Sequence, residues 1–541
     1  MNKRVLILGG GIGGLTAAHE LSERGFAVTV LERRDVTGGK ARSYGVANSA
    51  TGGRKELPAE HGFRFFPGFY KHIPDTMRRI PSVVPGKTVA DHLVEASKFM
   101  LARTGHSDLV YLLRFSHDPR DWLLEIKSLM QPLGVTAAEM AYFVERLLYV
   151  LTCCDDRRFA ELEHQSWWDF IGASSRSRAF QDLLARGFTR SLVALRAEEG
   201  SARTVGTILL QLMLDFSQEN LDRVLDGPTS EVWLTPWREL LATKYNVTFE
   251  TSTKVTEILC TNNTISAVKV QTAAGVTESR DADYYISALP VEVLRPLVSN
   301  AMKTADPALA ALSNLKTAWM NGIQFYLRKD VPLVHGHGLY PDTPWALTSI
   351  SQAQFWSSRL ANYGDGEVRG ILSVDISNWD APGILYGTPA KELTSREQIR
   401  DEVWAQLKAC LNDGPVKHLQ DNDVIGFSLD ESIMLPNPSG VTNLEPLLIN
   451  TVGSWKSRPE AATKIDNFFI ASDFVRTYTD LATMEGANEA ARRACNALLD
   501  RVGSNKPKAA VYPLVEPLLF KPLKAYDQVR FDLGLSHGKI L

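Results

Sequence analysis

Val5-Leu6-Ile7-Leu8 is an unbroken apolar run that stops at Gly9-Gly10-Gly11-Ile12-Gly13-Gly14, and a helix-like stretch follows. Val28-Thr29-Val30-Leu31 is a second apolar run, closing on Glu32. Short continuous apolar runs bounded by glycine predict strands buried on both faces, so the order reads strand, tight turn, helix, strand. Within the turn, Gly9 permits the sharp reversal, Gly11 lets a pyrophosphate approach the backbone, and Gly14 lets the helix pack closely on the strand. Gly13 belongs to the same turn. Unpaired N–H groups and the positive end of the helix dipole suit phosphate charge. Glu32 stands eighteen residues after Gly14, placed to accept hydrogen bonds from a ribose diol. Together these predict a dinucleotide site.

Further along, Tyr245 to Glu250 and Thr253 to Ile258 read as successive strands, and Ala282 to Pro290 as a strand ending in a proline-marked crossover. Asn467 to Asp473 reads as a buried strand ending in a carboxylate, with a helix from Asn488 to Asp500. Trp319 to Leu327 is another strand signal. Residues 76–225 are mostly helical in pattern. Ser166 to Ile171 and Val205 to Leu214 set large apolar side chains at helical spacing, the signature of a core that can also line an apolar tunnel.

Directly behind the second strand, Gly38-Gly39-Lys40-Ala41-Arg42-Ser43 adds two glycines and two cations. This segment resembles the second fingerprint of the FAD-dependent amine oxidase and phytoene desaturase superfamily, which lies beside the FAD pyrophosphate. Glu60-His61-Gly62-Phe63-Arg64-Phe65-Phe66 resembles the family's stretch whose backbone borders the isoalloxazine ring. Asp473, then Met484-Glu485-Gly486-Ala487, are similar to its closing motif, with Ser472 where glycine is more common. There the aspartate holds the ribityl–phosphate region, and the helix N-terminus faces the flavin N1–C2=O edge, where reduced flavin carries negative charge. Val255 matches the residue that gives its backbone to the adenine. The resemblance is most similar to bacterial phytoene desaturase-like and hydroxysqualene-dehydroxylase-like sequences, and it is good over 1–70, 225–295 and 450–505.

It implies an α/β fold: a Rossmann-type, glutathione-reductase-like FAD-binding domain interleaved with an α+β substrate domain. The expected FAD-binding parts are 1–75, 226–299 and 446–505. The expected substrate parts are a helical 76–225 and a sheet-forming 300–445, with 506–541 as a C-terminal extension. The expected FAD contacts are Gly9, Gly11, Gly13, Gly14, Glu32, Arg33, Gly39, Lys40, Arg42, Gly62, Phe63, Arg64, Phe65, Val255, Asp473, Met484, Glu485 and Ala487. Cys495 lies well inside the closing helix, away from where flavin-linking cysteines occur, so the FAD is expected to be non-covalent.

No Ser/His/Asp or Cys/His constellation demands a nucleophile, and no second GxGxxG suggests an NAD(P)H domain. Many amine oxidases of the superfamily carry a lysine on the flavin-facing strand; the matching position here is Asn321. Arg64 beside the ring suits stabilising reduced flavin, gripping a substrate carboxylate, or a plain salt bridge. Arg476 and Tyr478 precede the closing motif and are candidates for the substrate side. His61 and His72 read as structural, and Arg190, Glu198, Glu199 and Arg203 as ordinary surface pairs. The favoured reaction is dehydrogenation of a hydrophobic, isoprenoid-like substrate by hydride transfer to the flavin. The alternative is an amine or amino-acid oxidase that releases peroxide, supported by an aromatic cage of Trp319, Trp455 and Tyr478 if one forms.

Composition narrows the partners. The chain has 541 residues with net charge −3 and 44% hydrophobic residues, enough for two interleaved domains. No basic, aromatic-interleaved stretch points to nucleic acid, and no metal-ligand spacing appears. Oxygen or a quinone is the expected electron acceptor. The five cysteines lack paired spacing and read as reduced thiols of a cytoplasmic protein. From Val511 to Leu541, Pro513, Pro517 and Pro522 interrupt apolar residues beside Lys521, Lys524 and Arg530. That stretch fits either an apolar wedge making peripheral membrane contact or a strap over the protein's own surface.

Overall fold

Three distant stretches of chain meet in one parallel sheet of five strands, ordered Phe468–Ile470, Tyr284–Ser287, Arg4–Leu8, Ala27–Leu31 and Thr248–Glu250. The computed structural model describes residues 3–112, 134–187, 189–190, 195–217, 222–435 and 440–538; 539–541 of the C-terminal stretch lie outside them. The central strand Arg4–Leu8 is covered on both faces, with Val5 to Leu8 almost wholly buried, which is why it carries no polar alternation. The helix Ile12–Glu23 crosses back over the sheet and packs on the long helix Met484–Arg501. Small residues permit that approach: Ala17, Ala18, Ala490, Ala491 and Ala494 are fully buried, and the Cys495 thiol donates to the Ala17 carbonyl. The closing helix starts at Met484, a turn before the expected Asn488, with the Thr483 hydroxyl accepting from Gly486 N–H at 3.1 Å.

A second sheet of seven strands carries the other half. Its order is Val424–Leu429, Asn321–Leu327, Gly370–Ile376, Leu347–Ser351, Gly336–Tyr340, Lys98–Leu101 and Leu109–Leu112. The last two come from the stretch expected to be helical, which also supplies Leu93–Ala96 paired with Asp222–Leu225. The described part of 76–225 is otherwise mostly helical, and these four short strands are where it departs from that reading. Strands of four residues are too short to impose a period of two, so their pairing partners decide their state.

The helices Ala137–Thr152, Trp167–Phe170 and Ala202–Ser217 share one apolar cluster with Trp167 fully buried inside it. The Val205 to Leu214 stripe is partly core and partly cavity wall. Val205, Leu210 and Leu214 belong to this core, while Leu209, Leu212 and Met213 reach a cavity. At the far end, the helix Lys521–Asp532 is tied down on one side. Buried Asp527 accepts from Cys154 N–H at 2.8 Å and from the Arg157 guanidinium at 3.1 Å. Its other side leaves Tyr526, Val529 and, just beyond, Leu533 exposed, with Leu518 and Leu519 ahead of it. No helix among the described residues is long and apolar enough to cross a membrane.

Candidate active site

One cavity of about 720 Å³ runs from the glycine turn of the parallel sheet to the helical cluster, between the two sheets. Its first end is lined by Gly9, Gly11, Ile12, Gly13, Glu32, Arg33, Gly38, Gly39, Lys40 and Val255. Gly9 is left-handed at φ +102°, as the sharp turn requires. A Cβ on Gly14 would collide with the Gly9 carbonyl oxygen, and one on Gly13 with that of Ala471. Gly14 therefore acts from behind the wall, through helix packing, and does not line the cavity. Gly11 is the helix N-cap and supplies no side-chain cap, so the first-turn N–H groups face the cavity without a protein acceptor from that position.

The Glu32 carboxylate is positioned by its neighbours' backbone. One oxygen accepts from Gly10 N–H and the other from Arg34 N–H, both at 2.9 Å. The nearby cations are largely spent on protein acids. Arg33 reaches Glu445 at 2.7 Å and Lys40 reaches Glu292 at 2.9 Å. Arg42 does not line the cavity: almost fully buried, it binds Gly39 O, Glu431 and Glu445. It holds the loop from below, and its side chain is not available as a phosphate ligand.

At the middle of the cavity stand His61, Gly62, Phe63, Arg64 and Phe65, with Ala471, Ser472, Asp473, Thr483, Met484 and Ala487 across from the glycine turn. Glu485, grouped with these by sequence, points away. Its carboxylate accepts from the N–H groups of Lys71, His72 and Ile73 and from the His72 ring, at 2.7–2.9 Å. It caps the helix His72–Arg78 and ties it to the closing helix.

Asn321 and Tyr478 are likewise not at the cavity. Asn321 is fully buried; it donates to Asp430 at 2.6 Å and Ser432 at 3.1 Å and accepts from Asn443 at 2.7 Å. Asp430 in turn lies 2.6 Å from His61 Nδ1, so Asn321 reaches the cavity only through Asp430 and His61. Burial would raise the Asp430 carboxyl, but the His61 ring and its hydrogen bonds hold it far below the usual range. Tyr478 is half exposed and lies under Arg493. The proposed aromatic cage does not form: Trp319 packs on Trp379, Trp455 on Phe159 and Arg203, and none of the three lines the cavity. Arg476 is held by loop carbonyls and Glu460. Arg203 is not a surface residue but a buried partner of Glu163 at 3.0 Å and Asp480 at 2.6 Å.

Sequence reasoning missed a third set of lining residues. His337, Thr348 and Asp375 project from the seven-stranded sheet, and Asp222 from its own strand. Burial pushes the Asp375 carboxyl up to about 7, burial and then Asp215 push Asp222 up to about 8, and burial pushes His337 down to about 4. No local motif marks them, because the sheet's register alone brings them together. The far wall is apolar: Phe143, Leu147, Leu183, Leu209, Leu212 and Met213.

A glycine-turned parallel sheet, an uncapped helix end and an adjoining second sheet with an apolar chamber define a dinucleotide-dependent oxidoreductase architecture. Residues 12–499 match the family of flavin containing amine oxidoreductases, and the chain belongs to it. A 15-cis-phytoene desaturase of Synechococcus elongatus is 22% identical over 526 residues, 94% of this chain and 99% of that protein. The flavin-dependent L-tryptophan oxidase RebO of Lentzea aerocolonigenes is 28% identical over 172 residues, 28% of this chain and 35% of its own length. An oxidoreductase from Methanosarcina mazei has the same fold, with a TM-score of 0.61 at 14% identity, covering 92% of this chain and all of that one. The protein is therefore an FAD-dependent oxidoreductase. The cradle fits that cofactor: the Gly11 Cβ position meets only Gly39 Cα at 3.7 Å, which leaves the uncapped helix end open to a phosphate.

Proposed function

We propose that this protein dehydrogenates a hydrophobic, isoprenoid-like substrate, with FAD held non-covalently along the glycine turn. The observation that carries this reading is the continuity of one cavity from Gly11 and Glu32 to an apolar chamber walled by Phe143, Leu147, Leu209 and Met213. The length-spanning similarity to a phytoene desaturase supports it. Bound FAD supplies a two-electron acceptor. The chain's own part is to bind the ring and the substrate, exclude water and hold protons in place. In this reading the first-turn N–H groups after Gly11 take the pyrophosphate, Glu32 accepts from the ribose, Asp473 holds the ribityl–phosphate region, and the helix end at Met484 and Ala487 faces the ring. Gly62 and Phe63 border it on the other side. The His61 ring is oriented by Asp430 and lines the cavity beside Gly62. None of the five cysteines lines the cavity, which supports a flavin without a thioether link.

An exposed apolar row at the C-terminal helix, with Lys521 beside it, supports contact with a membrane surface, where such a substrate resides. Flotation with anionic liposomes tests that contact: protein that stays at the bottom of the gradient removes it. A second reading, an amine or amino-acid oxidase, is favoured by Arg64, which lines the cavity with a buried Nε that no hydrogen bond uses, although its guanidinium also pairs with Glu60 at 3.9 Å and donates to the Gly62 carbonyl. Anaerobic mixing with detergent-dispersed isoprenoids or with amines and amino acids separates the two. Flavin bleaching by the lipid pool alone supports dehydrogenation, and bleaching by the amine pool alone replaces it with the second reading.

A further inference from the structure

The register of the seven-stranded sheet lays out a row of directly paired residues on one face: Leu109, Leu101, Leu339, Thr348, Asp375 and Gly322. Leu101, Leu339, Thr348 and Asp375 of this row line the cavity. The row therefore changes from apolar to polar as it approaches the Gly62–Phe63 segment. Gly322 ends it without a side chain, and its Cβ position lies 2.8 Å from Gly62 Cα and 3.2 Å from an Asp375 oxygen. In the next row the polar members are His337, Ser373 and Gln324, and His337 is held between Phe63 at 5.2 Å and Phe65 at 4.2 Å between ring centroids.

These polar groups are buried and incompletely used. Thr348 Oγ1, Asp375 Oδ1 and His337 Nε2 have no hydrogen-bond partner, although the residues are 2%, 5% and 9% exposed. The Asp375 carboxyl accepts from the Phe63 backbone N–H, with Arg64, Glu60 and Asp430 as its charged neighbours. A buried polar atom left unpaired is costly, so three around one space point to a ligand group that pairs them. A pure hydrocarbon cannot do so.

We infer that Thr348 and Asp375, with His337 beside them, form a polar anchor that takes one uncharged hydrogen-bonding group, a hydroxyl or carbonyl, of an otherwise apolar substrate. The inference rests on the proposed function only in taking the helical chamber as the place of the apolar body. A hydroxyl donates to one of these oxygens or to His337 and accepts from Thr348 or a protonated Asp375, which satisfies the row without introducing charge. The burial that favours a neutral Asp375 carboxyl and a neutral His337 is consistent with an uncharged guest. The anchor sets the end of the substrate that lies nearest Gly62 and Phe63, and so selects which bonds approach the candidate flavin position.

The test uses FAD-loaded full-length protein, with farnesene, farnesol and farnesylamine as probes, and reads binding from the perturbation of the flavin spectrum. The expected result is farnesol binding at least tenfold tighter than farnesene. That preference should fall to about unity in Thr348→Val, which is isosteric, and in Asp375→Leu, while Asp375→Asn retains most of it. Equal binding of farnesol and farnesene, or a preference that survives both disruptive variants, overturns the anchor. Loss of FAD from Thr348→Val also overturns it, by giving the row to the cofactor. Tightest binding of farnesylamine, lost in Asp375→Asn, overturns the uncharged class. Anaerobic bleaching reports the reaction separately: preference without bleaching keeps the anchor and removes the proposed dehydrogenation, and bleaching without preference does the reverse.

Discussion

Two hydrogen bonds join Glu485 to His72, from its ring and from its backbone N–H, both at 2.7 Å, and the same carboxylate accepts from the N–H groups of Lys71 and Ile73. His72 Nε2 then accepts from Tyr512 N–H at 2.9 Å, so the ring carries its proton on Nδ1. Glu485→Ala leaves these buried donors unpaired, at about 3 kcal/mol or more in total. The expected outcome is a lower midpoint of thermal unfolding together with weaker flavin retention, because the same helix presents Met484 and Ala487 to the cavity. Unchanged unfolding and unchanged flavin content would contradict this coupling.

Glu32 is held by Gly10 and Arg34 N–H groups and faces the cavity. Glu32→Ala should weaken FAD binding by about 1.5–3 kcal/mol, the size of a hydrogen bond to a charged group. Titration of apoprotein with FAD measures it directly; an unchanged dissociation constant means the ribose contact lies elsewhere.

A methyl group at Gly14 would meet the Gly9 carbonyl oxygen. The helix must then lift from the strand, an overpacking cost of about 1–3 kcal/mol, and the first-turn N–H groups move with it. Gly14→Ala should fold with markedly reduced flavin content. Gly25→Ala makes a useful contrast: no atom lies near its Cβ position, but its φ of +87° disfavours a side chain, so the substitution should cost stability without displacing flavin.

Glu445 gives the acid limb of stability. Burial alone would raise its carboxyl, but the guanidinium of Arg42, then His61, Arg34 and Arg33, hold it at about 2, below the ordinary 4.5. A depressed carboxylate contributes fully above its unfolded value and loses that contribution as pH falls through its folded value. Unfolding midpoints should therefore drop between about pH 4.5 and about pH 2, and Glu445→Gln should flatten that part of the profile. Identical slopes in both proteins would place the acid sensitivity elsewhere.

Acid precipitation should release all of the flavin into the supernatant. Cys495 is buried between two helices against the Ala17 carbonyl, and no cysteine borders the cavity. Flavin that stays with the precipitate would refute a non-covalent cofactor.

The local signals were strong where one stretch of chain contains the whole arrangement. Val5 to Gly14 and Val28 to Glu32 specify strand, turn, helix and acid within 28 residues, and the parallel pairing of the two strands follows from the apolar runs and the helix between them. The family, the fold class and the flavin were legible for that reason. Roles that depend on where a side chain finally points were not. Glu485 and Arg42 sit in cofactor motifs, yet the first is turned to a neighbouring helix end and the second to Glu431 and Glu445. Asn321 lies on the expected strand but one residue from the cavity face, since neighbouring strand residues project to opposite sides. Thr348 and Asp375 lie 27 residues apart and carry no motif; they become one site only because antiparallel pairing sets them opposite each other. Sequence alone determined the strand–turn–helix–strand unit from Val5 to Glu32, where hydrogen bonding and packing are local. Tertiary structure decided the substrate half, where register between distant strands determines which polar atoms share a buried space.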